Sequence, residues 1–145
     1  MSVSTITAGQ KDWLTTLNND LSELANRDSG TWVSSGLTAI NGYTNTNCAY
    51  FLGKIGGQSV LMIQGTVTKS NGSITGQTAN EVLQLPASIA GYGRLVVGYG
   101  YAENSNNGYP LWLNYSPNSK RLILSNVSGQ TITFTSVRFG IILTN

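Results

Sequence analysis

The sequence predicts a mainly β protein, a jelly-roll or β-sandwich head preceded by a short N-terminal coiled-coil helix. Three observations carry that expectation. One helical apolar period is confined to the first 26 residues, short alternating apolar segments run from Thr31 to the C-terminus, and the composition is rich in turn formers and poor in charge. Charged residues make up 10% of the 145-residue chain, against roughly a quarter in an average soluble domain. Hydrophobic residues still reach 40%, spread along the chain, so a core is available and disorder is disfavoured.

The helix is expected over residues 7–26. Thr7-Ala-Gly-Gln10 matches a capping box, in which the Thr7 hydroxyl accepts from the Gln10 backbone and the Gln10 side chain reaches back. Leu14, Leu17, Leu21 and Leu24 follow at spacings of three, four and three, the seam of a coiled coil, with Trp13 beside it. About two heptads is short for a coiled coil, and the alternative is an amphipathic helix packed on the β domain of its own chain. The lack of a second helical pattern to share the packing favours the seam. Asn26-Arg-Asp-Ser-Gly30 ends the helix, which divides the chain into an oligomerising helix at 1–28 and an all-β head at 29–145.

Strands are expected near 31–40, 48–55, 58–68, 79–85, 94–102, 109–116, 120–126 and 130–144. Asn71-Gly72 reads as a hairpin turn and Ser116-Pro-Asn-Ser-Lys120 as another. In the last segment Ile132 and Phe134 alternate with threonines, and Val137, Phe139, Ile141 and Leu143 form a second alternation, with a break near Ser136. Eight strands at this spacing argue for a sandwich or jelly roll.

Asp12, Asp20, Glu23 and Asp28 place four of the six carboxylates in the first 28 residues. Beyond them six basic residues (Lys54, Lys69, Arg94, Lys120, Arg121, Arg138) face two acidic ones (Glu81, Glu103), a net of +4. These charges are scattered, whereas a nucleic-acid footprint is a cluster or stripe, so no nucleic-acid partner is expected. No stretch approaches the ~18 apolar residues of a membrane span, and the N-terminus lacks a basic segment followed by an apolar run, so synthesis in the cytoplasm without membrane insertion is expected. Cys48 is the single cysteine, which removes intrachain disulfides and reads as a buried free thiol.

Histidine is absent, which removes the commonest general base and transition-metal ligand together. One cysteine cannot build a structural zinc site. In the head only Glu81 and Glu103 could act as the paired carboxyls of a glycosidase, and Glu81 sits among apolar strand residues. No Gly-x-Ser-x-Gly elbow occurs, and Gly98-Tyr-Gly100 lacks the third glycine of a dinucleotide fingerprint. Neither catalysis nor a cofactor is expected. The Glu103–Gly108 run has the oxygen density of a calcium loop, but with one carboxylate it reads as a plain Asn-Gly loop.

Tyr99, Tyr101, Tyr109, Trp112 and Tyr115 cluster around this polar run. If Leu111 and Leu113 point to the core, alternation sends Trp112 and Asn114 to the opposite face, exposed or between subunits. Tyr99 and Tyr101 share the parity of Leu95 and Val97 and read as core. Flat rings beside Asn and Glu suit sugars, which offer C–H faces to stack on and hydroxyls to hydrogen-bond. The expected ligand site is therefore the loop between the strands near 94–102 and 109–116. Trp112 and Tyr109 would stack there, Glu103, Asn104 and Asn106 would hydrogen-bond, and Arg94 would reach a phosphate on a decorated polymer.

Asp28-Ser-Gly-Thr-Trp32 followed by Leu37-Thr-Ala-Ile-Asn-Gly42 resembles the entry to the head of receptor-binding proteins on phage tails and baseplates, particularly phages of Gram-positive bacteria. Tyr50-Phe-Leu-Gly-Lys54-Ile-Gly56, Val60-Leu-Met-Ile-Gln-Gly65, Leu85-Pro86 and the stretch from Lys120 to Leu143 are similar to the strands that follow in such heads. The resemblance implies a homotrimer, a virion location at the tail tip or baseplate beside other tail proteins, and recognition of a host cell-wall polysaccharide or teichoic acid without cleavage. It supplies no binding residues. Two other readings remain: a structural virion component such as a baseplate connector or head fibre, and a nucleic-acid-binding β-barrel that stacks bases on its tyrosines, which no basic stripe supports.

Overall fold

A computed structural model describes residues 5, 8–89, 91–105 and 107–145, with backbone alone for Arg94–Val97. It is mainly β, as the alternating segments predict. Among the described residues one helix, α1 (Trp13–Ala25), precedes ten strands: β1 (Ser29–Val33), β2 (Thr38–Ala39), β3 (Thr44–Asn45), β4 (Ala49–Ile55), β5 (Gln58–Ile74), β6 (Thr78–Gln84), β7 (Arg94–Asn104), β8 (Asn107–Ser116), β9 (Arg121–Asn126) and β10 (Ile132–Thr144).

The helix is shorter than the expected 7–26, though it contains the whole leucine seam. It starts at Trp13 with Asp12 as N-cap and no side-chain cap, and Gln10 donates forward to the Thr16 hydroxyl at 3.0 Å. Thr7, the other half of the expected capping box, lies outside the described residues. No helix residue is buried: Leu14, Leu21 and Leu24 are each more than half exposed, and Leu17 is half-buried. The apolar face is thus not spent on the chain's own head. Where the helix ends, the Gly57 amide donates to Arg27 O at 2.8 Å and the Gly56 amide to the Asp28 carboxylate at 2.6 Å. Gly56 and Gly57 form the two-residue β4–β5 turn with φ of +59° and +81°, values that glycine adopts without strain.

The strands form one hydrogen-bonded path, β1-β4-β5-β10-β7-β8-β9-β6-β2, with β3 pairing β5 off the path. The path curls into two layers because β8 changes partner. Its first half pairs β7, down to Leu111 opposite Gly100, and its second half pairs β9 from Trp112 opposite Ser125. The segment 37–45 crosses back from β6 to β5: β2 pairs β6, β3 pairs β5, and Asn45 donates to Leu37 O. The core lies between the layers. Leu61, Ile63, Val67, Val137, Phe139 and Ile141 meet Leu113, Leu122, Leu124, Val82 and Leu83 there. A Cβ on Gly100 would come to 3.0 Å from Leu124 Cδ2, so the glycine lets β7 and the second layer pack closely there.

Asn71-Gly72 does not turn the chain. Both residues lie inside β5, where Asn71 has φ of +51°, and the pairing with β10 passes from Thr68–Ser136 to Gly72–Phe134. The Asn-Gly step accommodates a bulge, because Ser73 and Ile74 keep pairing with β10 beyond it. The break expected near Ser136 falls at this same irregularity. Cys48 is buried as expected, its thiol donating to Thr66 O at 3.4 Å, and burial pushes its pKa up to about 11. Asn126 is polar and buried: its amide nitrogen donates to Ile74 O and Gln130 O at 2.9 and 2.8 Å, and its oxygen accepts from the Ser128 amide and hydroxyl at 3.0 and 2.8 Å.

Candidate functional site

The outer face of the second layer is built by strand alternation. Leu111 and Leu113 are buried, so Trp112 and Asn114 project to solvent, and Trp112 is 66% exposed. Ser125 stands opposite Trp112 and Ile123 opposite Asn114, and the Asn114 amide approaches the Ser125 hydroxyl at 3.5 Å. On β9 and β6, Arg121 donates to Gln84 Oε1 at 2.9 Å and pairs with Glu81 at 2.5 Å. The Gln84 amide donates in turn to Ser119 O at 2.9 Å, which fixes its orientation. An indole face thus stands on a flat sheet with an amide, a hydroxyl and a half-exposed ion pair on the same surface. Such a surface can stack on the C–H face of a pyranose while fixed polar groups meet its hydroxyls.

The hairpin carrying the other expected ligands is tighter than a loop over 103–108. β7 runs to Asn104 and β8 starts at Asn107, opposite it in the ladder, with Ser105 after β7 at φ of +45°. Glu103 and Asn104 are therefore strand residues. The Glu103 carboxylate is held by Arg138 Nε and the Ser136 hydroxyl, each at 3.2 Å, on the outer face of the first layer. Tyr109 stands opposite buried Ala102, which places it and Asn104 on the other face of the hairpin. Trp112 lies past the point where β8 leaves β7, on the face opposite Tyr109. Asn106 and the Arg94 side chain lie outside the described residues, and the Arg94 backbone pairs with Thr144. The expected ligands do not converge: Glu103, Asn104 and Tyr109 share the hairpin end on two faces, and Trp112 belongs to the second layer.

Tyr99 and Tyr101, expected in the core, are 61% and 44% exposed. The β7–β10 ladder skips Val96, pairing Val97 with Ile142 and Leu95 with Leu143, and this one-residue bulge reverses the face on which later residues fall. Gly98, Gly100 and Ala102 take the core side opposite Ile141, Phe139 and Val137. The alternation of small residues with Tyr99 and Tyr101 is the signal in the sequence that could have placed the tyrosines outside. Among the described residues, no three His, Cys, Asp or Glu side chains gather where a metal ion could be held. No described helix is long and apolar enough to cross a membrane.

In fold, the chain resembles the head domains of phage receptor-binding proteins. It matches the head domain of the receptor-binding protein of lactococcal phage bIL170 with a TM-score of 0.60 over 80% of this chain and 98% of that one, at 14% identity. It also matches the receptor-binding protein of Listeria phage PSA with a TM-score of 0.52 over 98% of this chain and 81% of that one, at 22% identity. At these identities the likeness is one of fold. No protein-family model and no curated protein matches the sequence.

Proposed function

We propose that the chain is the receptor-binding module of a phage tail tip or baseplate, in which residues 29–145 recognise a host cell-wall polysaccharide or teichoic acid without cleaving it. Residues 1–28 join the chains into a homotrimer and link them to other tail proteins. The observation that carries the reading is Trp112, a large aromatic side chain 66% exposed beside Asn114 and Ser125, on a fold that resembles phage receptor-binding heads. A sugar ring could stack on the exposed indole while its hydroxyls meet the Asn114 amide, the Ser125 hydroxyl and the Arg121–Glu81 pair on the same surface. Tyr109, Glu103 and Asn104 at the β7–β8 hairpin end, with Asn106 and Arg94, belong to this proposal as contacts separate from the Trp112 surface. Support for assembly comes from the Leu14, Leu17, Leu21 and Leu24 seam, which no described element of the same chain buries, and the count of three leans on the family resemblance.

Binding without hydrolysis agrees with the placement of the head's two carboxylates. Glu81 lies on the outer face of the second layer and Glu103 on that of the first, each paired with an arginine, so they do not flank one cleft. The test is sedimentation of the purified full chain with cell walls of candidate Gram-positive hosts, followed by assay of released reducing sugar. Saturable binding with no release is expected. Failure to bind any wall would favour a connector or fibre that touches only other virion proteins, and release abolished by Glu103→Gln would make the protein an enzyme.

A further inference from the structure

Beside Trp112 the surface of the second layer dips. Ladder register sets Trp112, Ser125 and Ala79 in one row across β8, β9 and β6, with Asn114, Ile123 and Glu81 in the row on one side. On the other side Gln77 and Val127, in the β5–β6 and β9–β10 turns, stand at the end of the sheet. Ser125 and Ala79 are the small members of this set, and an open depression of about 390 Å³ lies over them, bordered by Gln77, Thr78 and Val127. Neighbouring strands are ~4.8 Å apart, so the indole stands one strand from Ser125 and two strands from Ala79. The turns at the end are braced against each other. The Gln77 amide donates to Ser128 O at 3.0 Å, and a Cβ on Gly76 would come within 2.7 Å of the Gly129 backbone, so the two turns meet main chain to main chain. From the core, the Asn126 side chain bonds Ile74 O before one turn and Gln130 O in the other.

We infer that this depression takes a single neutral pyranose unit of the wall polymer, with one C–H face against the Trp112 indole and hydroxyls directed at Gln77, Ser125 and Asn114. The inference rests on the receptor-binding reading above and deepens it, giving the Trp112 surface a floor (Ala79, Ser125) and a rim (Gln77, Val127) that select the sugar. Charge decides the ligand class. Strands β6, β8 and β9 carry two charged residues, Glu81 and Arg121, and these are paired with each other. A phosphate over Ala79 would find no unpaired cation on these strands, and the Glu81 carboxylate would stand two residues along β6, ~7 Å away. A neutral ring meets no such repulsion, so the phosphates of a teichoic acid stay outside the depression. Size decides against a larger occupant, because about 390 Å³ is at the small end of the ~300–1,000 Å³ of ligand sites. The lining matches a sugar on both counts, with exposed apolar surface on Val127 and uncharged hydrogen-bonding groups on Gln77 and Ser125. The braced turns hold the rim in place before binding, so little ordering is needed when the ring enters.

The test is saturation-transfer NMR on the full chain with the methyl pyranosides of glucose, galactose, rhamnose and N-acetylglucosamine, and with glycerol phosphate. At least one pyranoside should receive signal, strongest on the C–H protons of one ring face, and glycerol phosphate should receive none. Ala79→Leu fills the floor from an exposed strand position and leaves Trp112 bare, so affinity for that pyranoside should fall at least about tenfold. Gln77→Asn shortens the rim at a position with φ of +58°, which asparagine tolerates, and should weaken binding about threefold or more, so the inference stays testable if the leucine variant folds poorly. Wild-type affinity in both variants, with binding lost in Trp112→Ala, would overturn the depression and leave the indole as the whole site. Signal on glycerol phosphate alone, or on no pyranoside while the protein still sediments with walls, would overturn the neutral sugar and leave receptor binding intact. A wild type that binds no wall would remove the receptor-binding reading itself. Where a pyranoside binds, sedimentation with walls freed of teichoic acid separates its sources, since retained binding assigns the sugar to a wall polysaccharide and lost binding to a glycosyl group on teichoic acid.

Discussion

Replacing Trp112 by alanine separates a binding residue from a structural one, because its two costs are predicted to differ widely. About a third of the side chain is covered in the single chain. For an aromatic side chain of up to ~250 Å² that is roughly 80 Å², or at most about 2 kcal/mol at ~25 cal/mol per Å². Alanine retains part of that contact and the unfolded chain hides some already, so about 1 kcal/mol is expected, a fall in Tm of ~2–4 °C. An aromatic anchor at the centre of a binding site is worth about 2 kcal/mol or more, roughly thirtyfold in affinity per site. If three heads engage one wall polymer as proposed, the loss compounds, since each site sets the avidity of the others. Differential scanning fluorimetry and wall sedimentation on the same preparation measure both. A Tm lowered by more than ~10 °C, or a smaller assembly, would place Trp112 in an interface, and unchanged wall binding would remove it from the site.

Asn126→Leu keeps the volume but removes the side-chain donor to the Ile74 carbonyl and the acceptor of the Ser128 amide, while the Gln130 carbonyl keeps the Ser128 hydroxyl at 3.0 Å, so a loss of about 2 kcal/mol and a Tm lower by ~4–8 °C are expected in thermal unfolding. A shift within experimental error would show that water satisfies these groups. With its pKa raised from 9 to about 11, Cys48 should react with a thiol reagent at pH 8 at least ~100-fold more slowly in the folded protein than in denaturant. The raised value stabilises the fold fully below about pH 9, and that contribution, up to about 2 kcal/mol, is lost as pH climbs towards 11. Burial also raises Tyr43 and Tyr115, so the readout is the difference between the alkaline unfolding curves of wild type and Cys48→Ala, which should narrow above pH 9. Leu17→Asp with Leu21→Asp should lower the mass of the assembly in light scattering while the head keeps its β spectrum. An unchanged mass would assign assembly to the head alone.

The strands were legible where one side of the sheet is core. Val137, Phe139, Ile141 and Leu143 alternate without interruption and fall buried in register, and the turn after Ser116 lies where Pro and Asn place it. The extra residue at Val96 was not legible, because a bulge leaves no mark in composition and yet inverts every later residue, which is why the tyrosines fell on the wrong face. The Glu103–Gly108 run read as a loop since strand ends beyond the core carry the same polar residues as loops, and only pairing distinguishes them. Nothing local marks the change of partner midway along β8, so the sequence brought Tyr109 and Trp112 together when the curl of the sheet sets them apart. The exposure of Trp112 and Asn114, by contrast, followed from the burial of Leu111 and Leu113 alone.

The joint at Arg27–Asp28 has a mechanical consequence. Tension entering through α1 meets the two bonds onto the Gly56–Gly57 turn before it reaches β1, the edge strand of the sheet. The load is thereby shared with the β4–β5 hairpin, and peeling of the edge cannot begin until those bonds give way. The Gly56 amide bond and the adjacent Arg27 hold the Asp28 carboxyl below its ordinary pKa, so the clasp stays charged in mildly acidic surroundings. Force entering from α1 is in this way divided between β1 and the β4–β5 hairpin before the edge pairing is loaded.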